Sequence, residues 1–199
     1  MTQTQIRPRL TFEEYLAYDD GTDTRYELVN GVLVEMPTES EINVVISSFL
    51  FALLLPLVPY YRLRQKTEIA VSSRSVTSRC PDLMVLTEAG VRALKGATQS
   101  VVMPDMPVPA LVIEVVSPGK PGSDNYDRDY VDKRQEYAAR AIPEYWLIDP
   151  MRAVVLVLSL IGGTYKAVEF RGDDRLESPT FPTLSLTAHQ ILTAGETSP

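Results

Sequence analysis

The chain is poor in the residues that build disulfides and zinc sites. Its 199 residues include one cysteine, Cys80, and one histidine, His189, which are far apart in the sequence. A single cysteine excludes an internal disulfide framework and is typical of a reducing compartment. Zinc sites made of cysteine and histidine need several such ligands close together. We therefore expect a cytoplasmic protein without structural disulfides and without a Cys/His zinc centre.

Long apolar runs are also missing. The longest, from Phe49 to Val58, contains Pro56 and is about half of the roughly 20 residues that a membrane-spanning helix needs. The segment from Met1 to Arg9 is polar, so no secretory signal is expected there. The chain has no glycine-rich loop of the form that binds nucleotide phosphates. These absences argue against a membrane protein and a nucleotide-loop enzyme.

Positive charge is in the minority. Lys and Arg number 19 against 26 Asp and Glu, which gives a net charge of -7 and a pI near 4.8. A non-specific nucleic-acid coat protein would normally be basic, so that class is disfavoured. A nuclease is not excluded, because local Lys/Arg clusters or a bound cation can supply positive potential on an acidic protein. The simplest meaning of the acidity is solubility.

The overall composition is that of an ordinary globular protein, with 45% hydrophobic and 23% charged residues. The length suits one domain with a full core. We expect a single α/β domain over residues 1–199, with a mixed β-sheet flanked by helices and a core from about 12 to 170. A frayed tail is expected from about 193 to 199.

Local patterns predict most of the elements. Thr11 and Glu14 have capping-box spacing, and Asn30-Gly31 between two β-rich runs is a strong hairpin signal. Apolar spacing and proline positions predict the remaining elements. They are a long helix over 39–57, a strand over 60–71, a loop over 72–79, a short helix over 88–95, a helix over 127–141, a strand over 144–149 and a hairpin around Gly162-Gly163.

Two acidic residues stand out because they lie at or inside apolar runs. Asp82 follows Pro81 at the start of one run, and Glu114 lies within a second run, from Ala110 to Val116. A buried carboxylate needs a partner or stays protonated. Asp82 alone is as easily explained as a turn-capping acid, but a solvent-exposed face does not explain Glu114. Two such acids on neighbouring strands predict a shared cation.

Hydrolysis of a phosphodiester bond at such a site also calls for a lysine that stabilises developing charge. On a strand, that lysine would lie two residues after Glu114, but this position is Val116. Two lysines remain as candidates. Lys120 lies in the loop after the strand, whereas Lys133 lies on the next predicted helix with Asp129 and Tyr137 on its face. A surface lysine paired with Asp129 is the alternative reading of Lys133.

Together these motifs resemble the putative restriction endonuclease branch of the PD-(D/E)xK nuclease superfamily, a group of small bacterial proteins. The matching pieces, in order, are Tyr26-Glu27-Leu28-Val29-Asn30-Gly31, Pro81-Asp82, Glu114-Val115-Val116-Ser117-Pro118, Asp129…Lys133…Tyr137 and Ile142 through Pro150. The resemblance implies a restriction-endonuclease-like core and a DNA endonuclease that uses Mg²⁺, with Mn²⁺ as a substitute. It also implies that Asp82 and Glu114 bind the metal, that Lys133 is the catalytic lysine, and that Glu27 adds a carboxylate.

One position departs from the pattern: members often have a histidine near the start of the long helix, where this chain has Asn43. Asn43 and Val116 keep open an alternative, a catalytically weak or inactive nuclease fold that binds DNA or a partner. A small-molecule enzyme with paired carboxylates is a third possibility. Because enzymes that cut both strands often use two copies of one site, a homodimer is expected.

Overall fold

The computed structural model describes residues 9–36, 38–72, 76–117, 119–120 and 122–196. Its helices are α1 (Phe12–Leu16), α2 (Glu41–Leu54), α3 (Glu88–Ala93), α4 (Asp124–Asp127), α5 (Lys133–Ala139) and α6 (Ala188–Leu192). Its strands are β1 (Tyr26–Val29), β2 (Val32–Glu35), β3 (Leu63–Arg64), β4 (Glu68–Ser72), β5 (Thr77–Arg79), β6 (Leu83–Val85), β7 (Val101–Val102), β8 (Leu111–Val115), β9 (Glu144–Asp149), β10 (Val154–Ile161) and β11 (Thr164–Phe170).

A six-stranded mixed sheet organises the molecule, in the order β11-β10-β9-β8-β6-β3. The β8–β9 pair is parallel and the other pairs are antiparallel. Both faces of the central strands are buried, which explains their continuous apolar runs. The predicted mixed α/β fold is confirmed.

The two faces of this sheet have separate cores. On one face, Leu83 and Ile113 pack with Ile46 and Leu50 of α2. On the other, Met84, Val112 and Val116 pack with Tyr137 of α5. Successive strand residues alternate between the faces, so this division decides which side chains can meet. The face that α5 covers therefore carries Asp82 and Met84 from one strand and Glu114 and Val116 from the other.

The N-terminal segment forms as its sequence predicts. Thr11 and Glu14 complete a capping box at α1. Asn30 and Gly31, with φ of 52° and 78°, make the tight turn between β1 and β2. This left-handed pair is the geometry that Asn-Gly favours in hairpins. The β1–β2 hairpin is a separate two-stranded sheet.

The alternation in segment 60–71 predicts a single strand, but the structure does not form one there. It forms a 3₁₀ turn (Tyr60–Arg62), then β3 and β4, which belong to different sheets. Lys66 breaks the strand because its φ is 59°. The basic side chains of this segment therefore do not lie along one face of a continuous strand; they are Arg62, Arg64 and Lys66.

Two other expectations need correction. The predicted loop over 72–79 includes β5, which pairs with β4 in a second, three-stranded sheet completed by β7. The predicted helix over 127–141 begins earlier, at Asp124, and contains a π-helical turn over Arg128–Asp132. Pro118 and Pro121, in the preceding loop, lie outside the described residues.

The C-terminal segment packs against the core that contains α2. Ile191 and Ala194 are buried there, and His189 lies in α6. Residues 197–199 of the expected frayed tail lie outside the described part of the chain. Among the described residues, no helix is long and apolar enough to span a membrane.

Candidate active site

A cleft of about 320 Å³ opens at the end of β8, between the β1–β2 hairpin, the start of α2 and the helix that contains Lys133. Its described lining is mostly polar: Glu27, Val34, Glu35, Met36, Thr38, Glu39, Ser40, Asn43, Cys80, Asp82, Glu114, Val115, Ser117, Asn125, Arg128 and Lys133. All four residues proposed from the sequence as site residues are in this set. The cleft is therefore the candidate active site.

Asp82 and Glu114 lie beside each other because β6 and β8 are antiparallel neighbours. Leu83 pairs with Ile113, so the next position in this register places Asp82 next to Glu114 on the same face. Asp82 also accepts a hydrogen bond from the Val115 backbone N–H at 2.6 Å. This bond extends the β6–β8 pairing through a side chain and holds the carboxyl group at the strand end.

Lys133 is buried in the cleft, so the surface position in the alternative reading is wrong, although the pairing with Asp129 that it also predicted is present. Its side chain is 8% exposed. Its Nζ donates to Glu114 Oε2 at 2.8 Å and lies 3.0 Å from Asp129 Oδ1. Lys120, the other candidate, is exposed and is not among the residues that line the cleft.

The helix around Lys133 supplies three polar groups to the region of Glu114. Tyr137 donates its hydroxyl to Glu114 Oε1 at 2.6 Å, while Asp129, nearly fully buried, also accepts from the Ser117 N–H at 3.2 Å. The π-helical turn lies between Asp129 and Lys133. Such turns are frequent at functional sites because they change which side chains share a helix face.

Glu27 lies in the wall of the cleft, but its oxygens already have partners. Oε2 accepts from Arg79 at 3.2 Å, and Oε1 accepts from the Cys80 N–H at 3.1 Å. Arg79 is almost completely buried and also forms two hydrogen bonds with Glu136, at 2.7 and 2.9 Å. Whether Glu27 acts as an additional carboxylate stays a prediction.

Asn43, where a histidine was expected, faces the cleft from α2. Its Nδ2 donates to the Val115 carbonyl at 3.0 Å, and its Oδ1 accepts from Ser40 at 2.7 Å. The Val115 backbone is thus held at its N–H by Asp82 and at its carbonyl by Asn43. The asparagine therefore positions the strand end that carries Glu114.

The pKa values of several ionisable groups in the cleft are shifted from their ordinary values. Burial, and next the nearby Glu114, raises the pKa of Asp82 to about 8. Burial also raises the pKa of Glu114, against the opposing effect of Lys133. For Lys133, burial lowers the pKa but Glu114 and Asp129 more than offset it, so the ammonium stays charged. Clusters of perturbed groups in a cleft are typical of functional sites.

The sequence pattern did not reveal Arg79, Glu136 or Arg128 as parts of this region. Arg79 and Glu136 are 57 positions apart, and nothing local in either segment indicates their pairing. Arg128 lines the cleft and contacts Asp129 at 3.4 Å. The one available signal was the position of Arg79, three residues before Asp82.

The fold and this cleft define the class of protein: an α/β protein with a restriction-endonuclease-like core, with paired acids at a sheet edge and a lysine on the returning helix. The model of the Uma2 family, described as "putative restriction endonuclease", matches residues 12–189. The chain belongs to this family.

A solved structure shares the fold. It is a protein of Anabaena variabilis ATCC 29413, described as a putative nuclease belonging to DUF820. The two align with a TM-score of 0.70 and 19% identity, over 92% of this chain and 98% of that chain. No curated protein matches the sequence significantly.

Proposed function

We propose that the protein is a metal-dependent endonuclease that hydrolyses phosphodiester bonds of DNA. The observation that carries this proposal is the meeting of Asp82, Glu114 and Lys133 in one cleft. They come from β6, β8 and the helix after β8. Membership of a family described as "putative restriction endonuclease" supports the same class of reaction.

The donor set fits Mg²⁺ or Mn²⁺. The described residues contain no group of three or more His, Cys, Asp or Glu side chains arranged to hold a metal. Mg²⁺ in phosphate-processing enzymes is usually bound through one or two carboxylates, with waters and substrate phosphate oxygens as the other ligands. Asp82 and Glu114 are such a pair. Burial, and next the neighbouring Glu114, raises the pKa of Asp82, and a bound cation would oppose this effect.

Asp82 and Glu114 would hold the metal. When bound, the cation would supply positive charge to the phosphate and lower the pKa of a coordinated water. Burial lowers the pKa of Lys133, but Glu114 and Asp129 raise it by more, which favours a charged ammonium over a general base. We assign it to electrostatic stabilisation of the negative charge that develops on the phosphate.

Two further residues would position these groups. Tyr137 holds one oxygen of Glu114 and Lys133 the other, which fixes the orientation of the carboxylate. Asp129 balances part of the Lys133 charge and lies on the same helix. A preorganised arrangement of this kind avoids reorganisation during the reaction.

A DNA-nicking assay with Mg²⁺ and with Mn²⁺ tests the proposal. We expect Asp82→Asn and Glu114→Gln to abolish nicking, and Lys133→Met to reduce its rate by at least about 10²-fold. Lys120→Met is the matched control, since it removes an exposed lysine of the adjacent loop, and it should leave the rate unchanged. Circular dichroism of each variant checks that it folds.

Failure to cut any DNA with either metal would contradict the proposal. If the protein then still bound DNA, it would be a binding module with a nuclease fold, the alternative left open by Asn43 and Val116. If Lys120→Met lost activity and Lys133→Met kept it, the assignment of the lysine would be wrong.

A further inference from the structure

The cleft offers little positive charge to a polyanion. Its described lining includes five carboxylates but two cations, Arg128 and Lys133. Lys133 is paired with Glu114 and Asp129, and Arg128 contacts Asp129 and Ser117. Proteins that grip duplex DNA neutralise many phosphates with lysine and arginine. The described cleft lining therefore offers few cations for phosphate contacts.

The reactive groups are also recessed. Glu114 is 2% exposed and Lys133 is 6% exposed, and the cleft volume of about 320 Å³ is at the small end for ligand sites. The scissile phosphate must enter between the β1–β2 hairpin and α2 to reach them. A duplex is stiff over about 150 base pairs, whereas an unpaired strand can bend its backbone into such a cleft.

An aromatic platform, made of Tyr126 and Tyr130, lies on the helical segment that also carries the cleft residues Asn125 and Arg128, and neither ring lines the cleft itself. The rings of Tyr126 and Tyr130 stack with centroids 4.4 Å apart and planes 18° from parallel. The guanidinium of Arg152 lies 4.7 Å from the Tyr126 ring centre and 5.4 Å from that of Tyr130. Asp149 accepts from the Tyr130 hydroxyl at 2.7 Å and pairs with Arg152, so the stack is anchored to β9.

This platform is next to the site along the same sheet edge. β9 is the parallel neighbour of β8, so Asp149 lies at the edge where Val115 and Glu114 end their strand. Asn125, which lines the cleft, directly precedes Tyr126 in the chain, and Arg128, which also lines it, follows two residues later. Tyr126 and Tyr130 are both half-buried, and the Tyr130 hydroxyl is held by Asp149.

We infer that the substrate is an unpaired strand of DNA, with a nucleobase stacked on Tyr126 while the adjoining phosphate enters the cleft. Stacking on aromatic rings is the common way to bind single strands without reading sequence. It also provides affinity where cations are few. The inference rests on the proposed nuclease function for the fate of the strand, but its binding step is independent of turnover.

Binding of a fluorescein-labelled oligonucleotide, followed by anisotropy, tests this inference. The same oligonucleotide is used unpaired and annealed to its complement, in Ca²⁺, which takes oxygen ligands as Mg²⁺ does. We expect the unpaired form to bind at least about tenfold more tightly, the scale of one stacked base. The logarithm of affinity should fall with that of salt with a slope of about -0.7 to -1.4, as for one or two phosphate contacts.

Variants separate recognition from folding. Tyr126→Ala should weaken binding of the single strand by about tenfold and leave the duplex unaffected, whereas Tyr126→Phe, which keeps the ring, should bind as the wild type does. Tyr60→Ala is the control, because Tyr60 is exposed and does not line the cleft. Thermal melting of each variant shows whether it is folded.

Equal or tighter binding of the duplex would overturn the inference, as would loss of single-strand binding in Tyr126→Phe to the same extent as in Tyr126→Ala. Cutting of duplex DNA without preference would overturn it and leave the nuclease function standing. Single-strand binding without cutting of any DNA would have the opposite meaning: the binding step of the inference would hold, and the nuclease function on which the fate of the strand depends would fail.

Discussion

At the scale of single residues, the site is a balance between two carboxylates, Glu114 buried and Asp82 half-buried, and one buried ammonium. Glu114 has two close donors, Lys133 and Tyr137, whereas Asp82 has the Val115 N–H. Asp82 is therefore the less well compensated acid, and its pKa of about 8 reflects this. Burial disfavours the carboxylate form wherever nearby donors or cations do not offset it.

This imbalance predicts a pH dependence of stability in the metal-free protein. The folded-state pKa of Asp82, about 8, is above the unfolded value of about 3.9. The folded state therefore binds more protons between these values, and the free energy of unfolding falls as the pH rises from about 4 to 8. Asp82→Asn keeps an acceptor for Val115 but removes the charge, so its melting temperature should exceed that of the wild type at pH 8.

Thermal melting of both proteins in EDTA from pH 5 to pH 8.5 measures this effect. Glu114 also has a raised pKa and destabilises in the same direction, so the difference between variant and wild type isolates Asp82. At pH 5 the two melting temperatures should nearly coincide. Parallel curves with a constant difference would contradict the raised pKa of Asp82.

At the scale of elements, Arg79 joins three parts of the site region. It lies at the end of β5, pairs with Glu27 of β1 and makes two hydrogen bonds to Glu136 of α5. The helix with Lys133 is thereby tied to the strand that precedes Asp82. A buried cation with two anionic partners is strongly destabilised when one partner is removed.

We therefore predict that Glu136→Gln lowers the free energy of unfolding by about 1.5–3 kcal/mol, the range for hydrogen bonds to charged groups. Glu169→Gln is the matched control, because its pair with Arg171 is exposed on both sides and should contribute less than about 1 kcal/mol. Urea unfolding measures both. Equal effects of the two substitutions would show that the Arg79 network does not stabilise the fold.

At the scale of the whole molecule, the net charge of -7 and the acidic cleft predict a response to divalent cations. A ligand that binds only the folded state stabilises it, by about 2.7 kcal/mol at a hundred times its Kd. We expect Mg²⁺ and Mn²⁺ to raise the melting temperature of the wild type but not of Asp82→Asn. NaCl at equal ionic strength is the control for general screening.

A melting temperature that NaCl raises as much as Mg²⁺ would contradict a specific metal site. The same would follow if Asp82→Asn responded as the wild type does. The homodimer expected from the sequence stays a prediction, and its reason, the cutting of both strands by two sites, does not apply to an unpaired strand.

Several features could be predicted from the sequence because their cause is local. The capping box at Thr11 and the Asn30-Gly31 turn depend on side chains and dihedral angles within a few residues. The apolar runs around Asp82 and Glu114 identify buried strands in the same way. Once two acids are known to lie on buried strands, a shared site follows from the cost of burying charge.

Other features were decided by tertiary structure. The division of 60–71 between two sheets depends on the turn at Lys66 and on the strands available as partners. The contacts of Arg79 with Glu136 and of Asn43 with the Val115 carbonyl join positions 57 and 72 residues apart. Amphipathic patterns report which side of an element is buried but not what covers it. For that reason the sequence by itself determined that two acids lie at or within apolar strands, while the folded chain decided that Lys133 and Tyr137 hold Glu114.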